Sequence, residues 1–357
     1  MVAVVPTDRT PSPSAFWKGS SPVQKGHSKA ILLWLGVVGS ILCLAPGCSA
    51  PQSAVEVYLD AVMLRELGQN DLAIEKLKQV VETDPNFAFA YSEMGAVYRA
   101  VGDLDNAGMA FQRAAELDSW SFSDHMDLAG VRREQGRYAE AAAAYARAAE
   151  LAPEDLAAQV GAARCYLRDG QAVRALVHCE LARQMDEGSR DVVLLLAQVY
   201  EAQKDYDQAI AVYQQLLERA GDDVDVMLAM SVAYIENEQY GQSRDVLVAL
   251  LRMRPDEAAA FRRLAYCYLK LGDTDEAIVV YEKAIEANAN DWQAHRGLGV
   301  AYMVKARLTS DERWKQAALR HWREALAMNP DQPRREVLQR LIKEHSTTTN
   351  PLRGLDY

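Results

Sequence analysis

The 357-residue sequence predicts an all-α fold, a solenoid of stacked helix pairs, on three observations. Ala73, Ala107, Ala141, Ala175, Ala209 and Ala277 lie on a 34-residue step, with Ser243 at the remaining place. Tyr98, Tyr166, Tyr200, Tyr234, Tyr268 and Tyr302 keep the same step, as do the small residues from Ala61 and Gly95 to Ala265 and Gly299. Gly68, Gly102, Gly136, Gly170 and Gly272 recur in phase, followed by Pro85, Pro153 and Pro255. A fixed period of this size marks a unit that stacks on its neighbours to bury a continuous core.

Each element of the unit has a local cause. In residues 88–121, Tyr91, Met94, Gly95 and Tyr98 fall at i, i+3, i+4 and i+7, one face of a first helix. Gly102 ends it, because glycine enters the left-handed backbone region at little cost. Ala107, Phe111 and Ala114 mark a second helix. Gly95 and Ala107 lack bulk where the two backbones should approach, with Phe111 and Tyr98 filling the space beside them. A proline then separates one unit from the next, since it cannot continue a helix. Lys204 and Glu238 stand where other units have the turn glycine, so those turns should be strained or longer. Arg132 replaces the aromatic of the third unit's first helix.

A 34-residue helix pair with small, aromatic and proline residues in these places resembles the tetratricopeptide repeat (TPR). The resemblance implies a right-handed superhelical solenoid of eight repeats, 54–87, 88–121, 122–155, 156–189, 190–223, 224–257, 258–291 and 292–331. In the eighth, Ala318, Trp322, Ala325 and Pro330 arrive seven residues late, so the stretch MVKARLTSDERWKQ should lengthen the first helix and its turn. Residues 332–345 form a capping helix, with Pro333 suited to its first turn and Val337, Leu338, Leu341 and Ile342 as its apolar stripe. Residues 346–357 read as a loose polar tail.

Upstream, an apolar run from Ala30 to Pro46 follows Lys18, Lys25 and Lys29, the layout of an export signal over residues 1–47 with a long basic n-region. Leu44-Ala45-Pro46-Gly47-Cys48 resembles the lipobox of bacterial lipoproteins, which implies acylation of Cys48 and a short tether over 48–53. Ala45 and Pro46 depart from the usual Leu-then-small pattern. An uncleaved anchor helix and a cleaved, unanchored protein are the competing readings. All three put the repeats outside the cytoplasm, and Ser49 resembles the context that sorts lipoproteins to an outer membrane.

The chain carries a net charge of −11, and its first 47 residues hold four basic side chains against Asp8, which leaves −14 for the rest. Nucleic acid, bound largely by neutralising phosphates, is a poor partner for such a body. Cys165, Cys179 and Cys267 describe neither a disulfide framework nor a zinc site, and Cys165 and Cys267 read as core thiols. His125, His178, His295, His321 and His345 read as isolated, without metal-ligand spacing, and His125 and His295 as packing residues. No catalytic constellation, small-molecule substrate, cofactor or metal is expected, and an enzyme is not.

The resemblance places a protein- or peptide-binding groove on the first helices. Carrying over the family's lining positions gives Tyr58, Arg65, Phe89, Arg99, Arg133, Arg164, Arg168, Arg262, Tyr266 and Arg296 as candidate contacts. Val232, Ile235 and Leu269 fall at the same lining places. Arg65, Arg99 and Arg133 form a 34-residue ladder that could take a partner's carboxylates, unless Glu66 and Glu134 neutralise it. The lysine–asparagine clamp of chaperone-binding relatives is not in register. The expected role is a non-enzymatic scaffold at the bacterial envelope, of the kind that assists pilus or secretion-system assembly. The alternative is a non-catalytic subunit of a polysaccharide-export or glycosyl-transfer complex.

Overall fold

A computed structural model describes residues 52–347. They form seventeen helices with no strand among the described residues. The first helices are α1 (Ala54–Glu66), α3 (Ala88–Ala100), α5 (Phe122–Glu134), α7 (Leu156–Arg168), α9 (Arg190–Ala202), α11 (Val224–Glu236), α13 (Ala258–Leu271) and α15 (Trp292–Thr309). Their partners are α2 (Asn70–Thr83), α4 (Leu104–Leu117), α6 (Tyr138–Leu151), α8 (Ala172–Met185), α10 (Tyr206–Ala220), α12 (Tyr240–Met253), α14 (Thr274–Ala287) and α16 (Glu312–Met328), and α17 (Arg335–Thr347) follows. Each helix packs on the next in the chain, which makes a superhelical solenoid of helix-turn-helix repeats.

Helix starts are set by side chains that accept from free backbone N–H groups. Ser53 and Glu56 make a reciprocal capping box on α1, and Asp155, Asp223 and Asp291 cap α7, α11 and α15. Turns between paired helices need one left-handed residue. Glycine supplies it at Gly68, Gly102, Gly136, Gly170 and Gly272. In the fifth and sixth units Lys204 (φ 61°) and Glu238 (φ 58°) adopt the same conformation, so those turns are strained rather than longer.

The small residues of the first helices have a more specific cause than close backbones. A Cβ on Gly95 would lie 2.7 Å from the Phe111 ring, and one on Gly161 2.7 Å from the Tyr145 ring. The aromatic of a second helix thus lies against a glycine of its own unit's first helix, as Phe111 on Gly95, or of the next unit's, as Tyr145 on Gly161, and volume is exchanged between them at constant density. Arg132 is buried where its unit lacks the aromatic. It pairs with Glu140 at 3.2 Å and donates to Gln112 Oε1 at 2.8 Å and Gln135 Oε1 at 3.0 Å. Gly108 leaves it room, since a Cβ there would lie 2.8 Å from the guanidinium.

The eighth unit departs from expectation in its details. The inserted residues extend both helices, to 18 residues in α15 and 17 in α16 against 13 and 14 in the second unit. The turn between them is not lengthened: Ser310, at φ 54°, and Asp311 alone connect the helices. The last helix also begins later than the sequence suggests. Pro333 precedes it, Arg334 turns left-handed at φ 63°, and α17 runs from Arg335 through Thr347 into the stretch expected as tail. Leu338 of α17 is buried against Leu298, Leu319 and Trp322, covering the apolar end of the stack. Among the described residues, no helix is long and apolar enough to cross a membrane.

Candidate functional site

The first helices of the last three units and α17 enclose a hollow of about 740 Å³. Val232, Ile235 and Glu236 come from α11, then Arg262, Arg263, Tyr266 and Leu269 from α13. Arg296, Gly297 and Val300 follow from α15, with Val337, Leu338 and Leu341 from α17. Tyr281 and Trp322, both buried, close the floor from the second helices. Gly297 leaves the Tyr281 ring uncovered in the floor: a Cβ on Gly297 would lie 2.5 Å from Tyr281.

Four arginines, Arg262, Arg263, Arg296 and Arg334, line this hollow against one acid, Glu236. Their surroundings differ. Arg262 pairs with Asp291, which is buried and also accepts from Gln293 N and Ala294 N at 3.0 Å. Arg263 donates to the Ala259 carbonyl at 3.3 Å, and burial, with Arg262 beside it, pushes its pKa down. Arg296 lies over the Trp292 ring at 5.1 Å and reaches the Pro333 carbonyl at 3.4 Å; burial, then Arg334, pushes it down. Guanidinium stays protonated through such shifts, so the hollow is a cationic site, partly desolvated at Arg263 and Arg296, in an acidic chain. Tyr266 stands at its rim, edge-on to Tyr240 at 6.2 Å, with Lys270 near both rings.

Of the candidate contacts read from sequence, Arg262, Tyr266 and Arg296 meet here. Arg164 and Arg168 line a second hollow of about 340 Å³ with Leu194 and Gln198, and Arg164 lies 3.7 Å from Asp191. The ladder is engaged internally at its first two rungs. Arg65 pairs with Glu93 of the next unit and with Glu66 at 3.1 Å, and Arg99 with Asp127 at 3.5 Å and Glu134 at 2.5 Å. Glu134 therefore serves Arg99 rather than its neighbour Arg133, which is exposed. Tyr58 packs on Phe87 at 5.3 Å, whereas Phe89 is 70% exposed. Cys48 lies outside the described residues.

Sequence reasoning missed Arg334 and the apolar face of α17, because a capping helix was expected to close the stack and not to wall a groove. The adjacent Arg334-Arg335 pair beside an apolar stripe was the available signal. The histidines also need correction. His295 and His321 are not isolated: their rings are 5.2 Å apart, beside Glu324. Their approach was hidden by the insertion, which shifts α16 out of the 34-residue phase, and His321 and Glu324 are i and i+3 on one helix face.

Family profiles described as tetratricopeptide repeat match residues 132–177 and 167–230, then 228–291 and 268–333, and one described as TPR repeat matches 61–102. The peroxisomal targeting signal receptor of Candida albicans is 30% identical over 83 residues, 23% of this chain and 14% of that protein. Superkiller complex protein 3 of Mus musculus is 25% identical over 240 residues, 65% of this chain and 15% of that protein. The chain thus spans a small fraction of these relatives' length. The structure of Naa15/Naa10 bound to HypK-THB superposes with a TM-score of 0.53 at 18% identity, covering 81% of this chain and 44% of that one, a likeness of fold. The repeat profiles and the in-phase helices agree: the chain belongs to the tetratricopeptide-repeat family.

Proposed function

We propose that the protein is a non-catalytic scaffold that holds an acidic, partly apolar segment of a partner protein in the hollow between α11, α13, α15 and α17. The observation that carries this reading is a lining of four arginines and one acid, in which only Arg262 is paired with a carboxylate, Asp291, in a chain of net charge −11. Carboxylates suit guanidinium forks, which bond them in two places at once. Val232, Ile235, Leu269 and Val337 supply apolar contact between the charges. Arg334 is exposed and, like Arg263 and Arg296, has no carboxylate within ion-pair distance among the described residues.

A fluorescein-labelled peptide of alternating glutamate and leucine tests the reading by anisotropy. It should bind at least about tenfold more tightly than its lysine counterpart, with affinity falling as salt rises. Arg296→Gln and Arg334→Gln should each weaken it by about tenfold, the value of one charge-assisted contact. Equal binding of the lysine peptide, or no effect of either substitution, would overturn it.

The place of action is proposed from the N-terminal sequence. Lipidation of Cys48 would hold the repeats at the bacterial envelope, on the periplasmic or outer face, where such a scaffold assists assembly of a pilus or secretion complex. Five residues, Ser49 to Ser53, would separate the lipid from α1, a reach below about 20 Å. Cys48→Ala should abolish palmitate incorporation and leave a larger unprocessed product; unchanged labelling or mobility would exclude it.

A further inference from the structure

His295 of α15 and His321 and Glu324 of α16 converge three ligand atoms on one point, in a unit whose helices the insertion has lengthened. His295 Nδ1 lies 3.1 Å from His321 Nδ1, and each is 3.0 Å from Glu324 Oε2. Zinc binds histidine nitrogen at about 2.0–2.1 Å and carboxylate oxygen at about 2.0–2.2 Å, so ligand atoms around it stand about 3.3 Å apart in a tetrahedron. The observed triangle has nearly those edges before any ion draws it together.

The hydrogen-bond direction at His295 strengthens the fit. His295 Nε2 faces the Ala289 carbonyl at 3.3 Å. A carbonyl only accepts, so the neutral ring carries its hydrogen on Nε2 and turns the Nδ1 lone pair toward His321 and Glu324. Anchoring the far nitrogen on a backbone carbonyl is how proteins orient metal-binding histidines. Tyr302 stacks on His321 at 5.7 Å and holds that ring in place, its hydroxyl donating to Glu282 at 2.6 Å. The imidazoles are buried, while the Glu324 side chain is 39% exposed and gives solvent a route to the point of convergence.

We propose that His295 Nδ1, His321 Nδ1 and Glu324 Oε2 bind one divalent transition-metal ion of the zinc type, leaving a coordination position for water. The ion ties α15 to α16 next to Trp322, so it rigidifies the unit that floors the binding hollow. The site stands apart from the peptide reading, since none of its three ligands lines that hollow. The competing arrangement is a proton on His321 Nδ1 shared among the same three atoms. It is favoured by the contact of His321 Nε2 with the Arg320 guanidinium at 3.5 Å, where the ring nitrogen accepts, and by Arg320 Nε at 4.0 Å from Glu324.

Cobalt(II) separates the two. The full chain, made without a histidine tag and freed of metal by a chelator, is titrated with cobalt chloride and then zinc chloride. One equivalent of cobalt should give visible absorption that zinc displaces, and zinc should raise the melting temperature. Glu324→Gln, a nearly isosteric change on a half-exposed side chain, and His321→Asn should each weaken cobalt binding by at least about 100-fold, beyond the loss from disturbing an outer-shell partner. Absence of the absorption with folded wild-type protein overturns the proposal. Equal absorption in the Glu324→Gln protein does so as well.

Discussion

Gly299→Ala should destabilise the C-terminal end of the solenoid by about 3 kcal/mol, the upper end of what overpacking costs. The added Cβ would overlap Cδ1 and Nε1 of Trp322 and lie 3.1 Å from the Ala318 carbonyl oxygen. Neither obstacle can yield cheaply. The carbonyl belongs to the backbone of α16, and the indole is 2% exposed, wedged among Leu298, Leu319 and Leu338. Its Nε1 also donates to the Arg296 carbonyl at 3.2 Å, so tilting the ring forfeits a partly buried hydrogen bond worth about 1 kcal/mol. Hydrogen exchange should localise the loss to α15–α17, because repeats contact chiefly their neighbours. Gly241→Ala is the control: nothing lies within 4 Å of its Cβ, so it should be neutral or stabilise by about 0.5 kcal/mol. Adding Trp322→Leu to Gly299→Ala should cost less than the two single changes together, since both act on one contact. A melt of Gly299→Ala that matches wild type would refute the ring-on-glycine account.

That contact also shows how far the sequence could be read. The 34-residue step located Gly299 as a small residue in phase with Gly95, and its helix followed from periodicity. Periodicity reports which face of a helix is buried and is silent on what lies against it. The partner of Gly299 is therefore visible only in the fold, where α16 has been displaced by seven inserted residues and brings Trp322 over it. The groove divides in the same way. Arg262, Tyr266 and Arg296 were legible because they sit on the repeating frame, while Arg263, Arg334 and the α17 wall lie off the lining positions. Charge pairing was legible least. Arg65 and Arg99 obey the step perfectly; Glu66 and Glu134 were legible as possible partners, but only geometry shows that Glu134 serves Arg99 and that Glu93 and Asp127 of the next unit join in.

Arg262→Met should destabilise the protein by about 3 kcal/mol, more than any change at its partner Asp291. The pair is asymmetric: the Arg262 side chain is 25% exposed and the Asp291 side chain 4%. Removing the cation strands a carboxylate out of water, which typically costs about 3–5 kcal/mol, and the two backbone N–H groups that cap α15 offset part of it. Asp291→Ala loses that cap, about 1 kcal/mol, but lets Arg262 turn toward solvent, so about 1–2 kcal/mol is expected. Asp291→Asn keeps an acceptor for the cap and should cost below about 1 kcal/mol. Adding Asp291→Asn to Arg262→Met should then recover stability, because the stranded charge is gone. Urea denaturation of the four proteins gives the order directly, and Asp291→Ala proving costlier than Arg262→Met would mean that the cap, and not the buried charge, dominates. The ranking bears on function as well. An Arg262 variant that fails to bind peptide reports a loosened α13–α15 wall, whereas Arg296 and Arg334 report recognition, because no buried carboxylate depends on them.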